Sequence, residues 1–255
     1  MTSSIPKLGL ISAMDQEQAG LVDLLQEARR TVRGQREFIS GRLEQLECVC
    51  VLSRLGKVAA AATAATLIEG FGVTHIVFTG VAGSADPSVR IGDMVVADRL
   101  IQHDMNASPL FPRFEVPLTG QASFAADRPL SDRLMGEADS FLRNELRQAL
   151  AEEDLRAFRL DQPRVHRGLI ASGDEFIHSR DRLDALKTSL PDVLAVEMEG
   201  AALAQVCFEF GVPFAVIRTI SDNADHEAPL NFLQFMDRVA ARYAFHVMQR
   251  FCRGG

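Results

Sequence analysis

Residues 74–83 read THIVFTGVAG. Apart from His75, the first six are β-branched or aromatic, and the glycines at 80 and 83 follow at once, so the stretch reads as a buried strand feeding a glycine turn. On its N-terminal side, the Ala-rich stretch Lys57–Gly70 has good helix propensity and enough small residues to pack closely on a sheet. Further back, Lys7–Met14 is a short apolar strand followed by acidic residues. Asp15 reads as a helix cap or first-turn acid there, with Leu21, Leu24 and Leu25 as a helical stripe. Arg36–Ser40 and Glu47–Ser53 read as strands around a turn at Gly41. On the C-terminal side, strands are expected at Asp93–Gln102, Val165–Ser172, Leu194–Glu197 and Phe214–Ser221. Helices are expected at Ser131–Asp154, Gly200–Phe210 and Phe232–Arg250. Strands alternating with helices argue for a central mixed or largely parallel β-sheet flanked by helices. No linker, repeat or low-complexity stretch interrupts the pattern, so residues 1–255 read as a single α/β domain.

Composition narrows the function. At 255 residues and 47% hydrophobic content the chain can bury a sizeable core. A net charge of −7 argues against broad nucleic-acid binding, which needs clustered Lys and Arg. No apolar run approaches a membrane span, and the polar start over 1–6 carries no signal-peptide pattern, so a cytoplasmic location is expected. Four cysteines without CxxC spacing read as buried thiols, with Cys48 and Cys50 on one face of their strand. Six scattered histidines make no zinc pattern, so neither metal nor cofactor is expected.

In such a sheet, ligands sit outside the carboxyl ends of the strands. Those ends carry Met14 to Glu17, Gly80 to Gly83, His103-Asp104, Asp174 to Ile177, Glu197 to Glu199 and Ser221-Asp222. Glu17 reads as a helix-start acid or as a general base. Glu197 and Glu199 read as helix-start carboxylates or as acceptors for two neighbouring hydroxyls, and in extended chain they share a face. Asp222 reads as a turn cap or as a general acid with a raised pKa. Phe176 and Ile177 read as core or as a platform for a flat base.

Taken in order, ISAMDQE (11–17), TGVAG (79–83), IGDMVVAD (91–98), SGDEFI (172–177), AVEMEGAALAQVC (195–207) and VIRTISDNAD (216–225) closely resemble the 5′-methylthioadenosine/S-adenosylhomocysteine nucleosidases of the wider nucleoside phosphorylase family. The likeness runs over nearly the whole chain. It implies a nucleoside phosphorylase-like fold and hydrolysis of the bond between adenine and a thioether ribose. By resemblance, Glu17 activates water and Asp222 protonates purine N7, while Glu199 holds the 2′- and 3′-hydroxyls beside Glu197. Met198 packs under the ribose and Met14 beside it, and Ala82 and Gly83 line the nucleoside. Phe176 stacks on adenine, the Ile177 backbone reads its edge, and Phe232 closes over the base. Arg218, Ser221 and Ala224 support the acid and the carboxylates. The resemblance also implies a homodimer in which Leu110, Phe111 and Pro117 reach the partner's 5′ pocket.

The chain departs from the family at several points. Arg54 stands where a small glycine is usual, Val81 replaces a serine seen in some members, the loop 106–118 differs, and the region 125–163 is longer. These departures bear on the 5′ group. Phosphorolysis on the same fold is the first competing reading: Arg54 favours it, whereas Asp15 and Glu17 would repel phosphate. A non-catalytic nucleoside sensor and a sister nucleosidase for aminodeoxyfutalosine are the others.

Overall fold

A computed structural model describes residues 7–18 and 20–253. The polar start over 1–6 lies outside them. Strand β1 (Leu8–Ser12) is wholly buried, as its unbroken apolar run requires. Strands β2 (Gln26–Arg33), β3 (Arg36–Leu43) and β4 (Leu46–Leu52) form an antiparallel meander beside it. After helix α1 (Lys57–Phe71) come β5 (His75–Ser84), β6 (Met94–Gln102) and the two-residue β7 (Phe124–Ala125). Helices α2 (Arg128–Asn144), α3 (Leu146–Ala149) and α4 (Glu152–Ala157) precede β8 (Val165–Ser172). The chain continues through α5 (Arg180–Ser189), β9 (Val193–Glu197), α6 (Gly200–Phe210) and β10 (Phe214–Asp222). It ends in α7 (Ala228–Phe235), a π-helical turn (Met236–Ala240) and α8 (Ala241–Arg253).

The sheet is mixed and curls on itself. Strand β5 pairs in parallel with β1 and β10 and antiparallel with β9, β9 runs parallel to β8, β8 parallel to β6, and β6 antiparallel to β10. Five strands therefore close a ring, and β1, β4, β3 and β2 extend from it as an open wing. Alternation along the strands splits the core between two faces. Cys48 and Cys50 point into the cluster under α2, the π turn and α8, whereas Val49 and Val51 point into the cluster under α1 and α6. All four cysteines are free and buried.

Several expectations give way. Among the described residues, no α-helix stands between β1 and β2: single 3-10 turns stand at Asp15–Glu17 and Val22–Leu24, with Gly20 between them at a positive φ of 80°. Leu21 and Leu25 are buried through these turns rather than along a helical stripe. The meander's reversal lies at Glu44, with φ of 55°, not at Gly41. Gly41 sits within β3, where an added Cβ would come 2.8 Å from the Gln26 carbonyl oxygen of β2. Strand β5 runs through Gly80 and Gly83 instead of turning there. The expected helix over 131–154 is three pieces, and the last helical stretch begins earlier, at Ala228, with a π turn inside it.

Candidate active site

The carboxyl ends of β1, β5, β9 and β10 open onto a cavity of about 360 Å³, with the segment after β8 and helix α7 on its far side. Met14, Glu17, Ala82, Gly83, Phe176, Ile177, Glu197, Met198, Glu199, Ser221, Asp222 and Phe232 all line it. These residues come from six separate parts of the sequence. Two expected residues stand behind the wall: Arg218 and Ala224 are buried and do not line the cavity. Leu110, Phe111 and Pro117 lie outside it on the loop after β6, with Leu110 84% exposed.

Glu17 folds back over the 3-10 turn it ends. Its Oε2 accepts from the backbone N–H of Ala13 at 2.7 Å and of Met14 at 2.9 Å, and Oε1 accepts from that of Val81 at 3.1 Å. These three donors tie the first loop to β5. Burial pushes the Glu17 carboxyl above its ordinary pKa, while the Arg218 charge and the three N–H groups pull it back. The strand glycine Gly80 makes room for this: a Cβ there would stand 2.8 Å from Arg218 Nη1 and 2.9 Å from Glu17 Oε1.

Glu197 and Glu199 line the same cavity but differ in occupation. Arg218 donates to Glu197 Oε2 through Nη2 at 2.6 Å and Nε at 3.2 Å, and the Gly200 N–H donates to both Glu197 oxygens at 2.8 and 3.0 Å. The Ser172 hydroxyl also bonds Glu197, and it accepts from the Ala201 N–H at 2.7 Å. Glu197 is thus consumed by the protein, with Arg218 stacked 4.1 Å over the Phe78 ring. Among the described residues, the Glu199 carboxylate accepts only from the Gly56 N–H, at 2.9 Å to Oε1. Burial and the Glu197 charge push its pKa up to about 7.

At the other end, Ser221 Oγ donates to Asp222 Oδ2 at 2.7 Å and the Ala224 N–H to Oδ1 at 2.9 Å. Burial drives the Asp222 pKa upward against these two donors. Gly83 permits the approach, since a Cβ there would lie 2.9 Å from Asp222 Oδ1. The Phe176 and Phe232 rings meet edge to face, centroids 5.8 Å apart at 74°, and Phe176 keeps 39% of its surface open.

Some participants have no role that the sequence alone assigns. Leu55 and Val196 help wall the cavity, and the backbone of Gly56 and the Ser172 hydroxyl hold the two glutamates. A clasp also forms at the rim: Lys57 Nζ pairs with Asp104 at 2.6 Å, Asp104 accepts from the Asp174 N–H at 3.0 Å, and Asp174 accepts from the Lys57 N–H at 2.8 Å. Each depends on contacts between distant segments; only the strand-end position of Asp104 and Asp174 pointed toward it. Among the described residues, no group of three His, Cys, Asp or Glu side chains is placed to hold a metal ion, and no helix is long and apolar enough to cross a membrane.

Comparison with known proteins matches this geometry to a family. Residues 7–253 match the Phosphorylase superfamily. A 5′-methylthioadenosine/S-adenosylhomocysteine nucleosidase of Marinomonas sp. is 33% identical over 97% of this chain and 98% of its own. The structure of the nucleosidase of that name from S. pneumoniae, with a transition-state inhibitor, superposes with a TM-score of 0.81 at 34% identity, covering 97% of this chain and 98% of that one. The futalosine hydrolase of Helicobacter pylori superposes with a TM-score of 0.80 at 32% identity, over 96% of this chain and 97% of that one. The chain belongs to the phosphorylase superfamily, in the family of the 5′-methylthioadenosine/S-adenosylhomocysteine nucleosidases.

Proposed function

We propose that the chain, acting as one domain over residues 1–255, hydrolyses the N-glycosidic bond of 5′-methylthioadenosine and S-adenosylhomocysteine and releases adenine. The observation that carries this reading is the fixed, buried carboxylate of Glu17. It occupies the N–H groups of Ala13, Met14 and Val81, the kind of donors that a phosphate nucleophile would need, and places a proton acceptor there instead.

Asp222 gives its proton to purine N7, and the C1′–N9 electron pair leaves with a neutral adenine. The Ser221 hydroxyl and the Ala224 N–H then hold the aspartate left behind. The sugar becomes oxocarbenium-like, a water oxygen bonds C1′, and Glu17 takes the water's proton. A positioned acid and a positioned base each contribute about 10²–10⁴-fold. Glu199 has an oxygen free of protein donors for the 2′- and 3′-hydroxyls, with Met198 and Met14 against the ribose. Phe176 stacks on the base, Phe232 closes over it, Ile177 reads its edge, and Ala82 and Gly83 complete the wall. Arg218 and Glu197 are positioning residues: they form the ion pair that backs this end of the cavity. We also propose a symmetric homodimer whose loop 106–118 completes the partner's 5′ pocket through Leu110, Phe111 and Pro117. The exposed Leu110 and Leu118 support it.

The test is product analysis with and without phosphate. Free adenine and free sugar thioether should form at a rate independent of phosphate, and a sugar 1-phosphate product would refute hydrolysis. The likeness to the futalosine hydrolase favours a second reading, an adenine nucleoside with a different 5′ arm. A substrate panel varying only the 5′ group separates the two.

A further inference from the structure

Arg54 stands just before the Leu55 wall of the cavity, in the left-handed backbone region at φ of 69°. A glycine would sit there without strain, so the arginine is held at a conformational cost. Its side chain faces a second, more open groove of about 900 Å³, lined also by Arg36. Ala13, Met14 and Leu55 line both spaces, so the groove continues from the cavity. It adjoins the Glu199 end, because the next residue, Gly56, donates its N–H to that carboxylate.

Both guanidiniums are held by backbone carbonyls. Arg54 Nη2 donates to the Gln35 carbonyl at 2.6 Å. Arg36 donates to the carbonyls of Ser53 at 3.1 Å and Gly34 at 2.9 Å. Among the described residues, neither forms an ion pair with a carboxylate. Burial and the neighbouring Arg54 charge together hold the Arg36 guanidinium below its ordinary pKa. Glu37, also on the groove wall, is taken by Arg30, while Asp15 and Asp23 complete the lining.

We propose that Arg54, backed by the charge of Arg36, receives the carboxylate at the end of a 5′-thioether arm, so that the enzyme selects adenine nucleosides carrying an amino-acid-like 5′ substituent over those with a neutral alkyl group. The proposal rests on the nucleosidase reading above and adds the 5′ selectivity to it. A planar guanidinium suits a carboxylate because two parallel N–H bonds can form. Asp15 and Asp23 provide the opposite sign that the ammonium of an α-amino acid requires.

The measured quantity is the ratio of kcat/KM for S-adenosylhomocysteine to that for 5′-methylthioadenosine, in the wild type and in Arg54→Gly. Glycine tolerates the local φ, so the variant should keep its Tm. The ratio should fall about tenfold, as for the loss of one charge-assisted contact. In the wild type the ratio should also decline as salt rises, and this dependence should flatten in Arg54→Gly. Arg54→Lys, which keeps the charge but not the fork, should fall between. A ratio unchanged or raised in Arg54→Gly overturns the proposal while leaving the nucleosidase reading intact. A wild type that releases adenine from neither substrate overturns the nucleosidase reading itself.

Discussion

The two ends of the cavity manage buried carboxylates in opposite ways. At one end, Glu17, Glu197 and Glu199 gather around the buried cation Arg218, and among the described residues only Glu197 is directly paired with it. At the other, Asp222 has a hydroxyl and an amide N–H but no cation, and the nearby Asp225 charge adds to burial in raising its pKa. An excess of negative charge suits a sugar that becomes cationic as the bond breaks. A carboxyl without a cation keeps its proton available for the leaving base. The contrast is not simply one of raised against lowered pKa, because burial raises both Glu17 and Asp222. What separates them is the company each keeps: Glu17 has Arg218 and three amide donors to support its ionised form, Asp222 has only two neutral donors.

The sharpest way to break the comparison is to neutralise each end in turn. Asp222→Asn and Glu17→Gln should each lower kcat by about 10²–10⁴-fold, with a modest change in KM. A nucleoside whose leaving group needs no protonation should restore turnover to Asp222→Asn and leave Glu17→Gln slow. If such a substrate rescues both variants equally, or neither, the acid and base are misassigned.

A second test removes the shared cation. Arg218→Met strands Glu197 in a buried site, and breaking such a pair costs about 3–5 kcal/mol. Urea unfolding should show a loss of that size. Adding Glu197→Gln should recover part of it, because the neutral amide needs no counter-ion. A single-variant loss near zero would mean that the Ser172 and Gly200 donors alone satisfy Glu197.

The smallest expected effect concerns Glu199 and pH. Its pKa lies at about 7 in the fold against an ordinary 4.5. The folded chain therefore holds a proton that the unfolded chain releases, so Glu199 costs no stability below the lower value. The cost grows as pH rises through that window and is constant above it. Glu199→Gln should raise Tm by a few degrees at about pH 8, where the charge is fully present, and the gain should vanish toward about pH 4.5. A gain that does not change with pH would place its origin outside the Glu199 charge.

Much of the fold was legible because apolar runs and helix signals carry it locally. Strands β1, β4, β5, β6, β8, β9 and β10 and helices α1 and α6 stand close to where periodicity put them. Strand β2 was invisible: Gln26–Arg33 is exposed along its length, so no buried face imposes an alternation. The broken helix over 131–154 failed differently. Its charge pattern is helical throughout, but Leu146, Leu150 and Leu155 must each reach one core, and the chain re-aims between them. The glycines of TGVAG suggest a turn by residue type; in the structure they keep a strand thin where side chains press against it.

The cavity residues were legible as polar residues at strand ends, a place where the helix-flanked sheet leaves backbone ends open to a ligand. Residue types along the chain thus determined the layered architecture, the location of the cavity and the set of carboxylates within it. Which carboxylate is spent and which is free was decided only by tertiary structure. Glu197 and Glu199 are two residues apart and chemically identical, yet Arg218, Ser172 and the Gly200 amide converge on one while a single amide, from Gly56, meets the other. These donors come from different strands and loops, so their distances follow from how the ring of strands closes. In a buried site those distances set the cost of a charge, and hence the state in which each carboxylate rests.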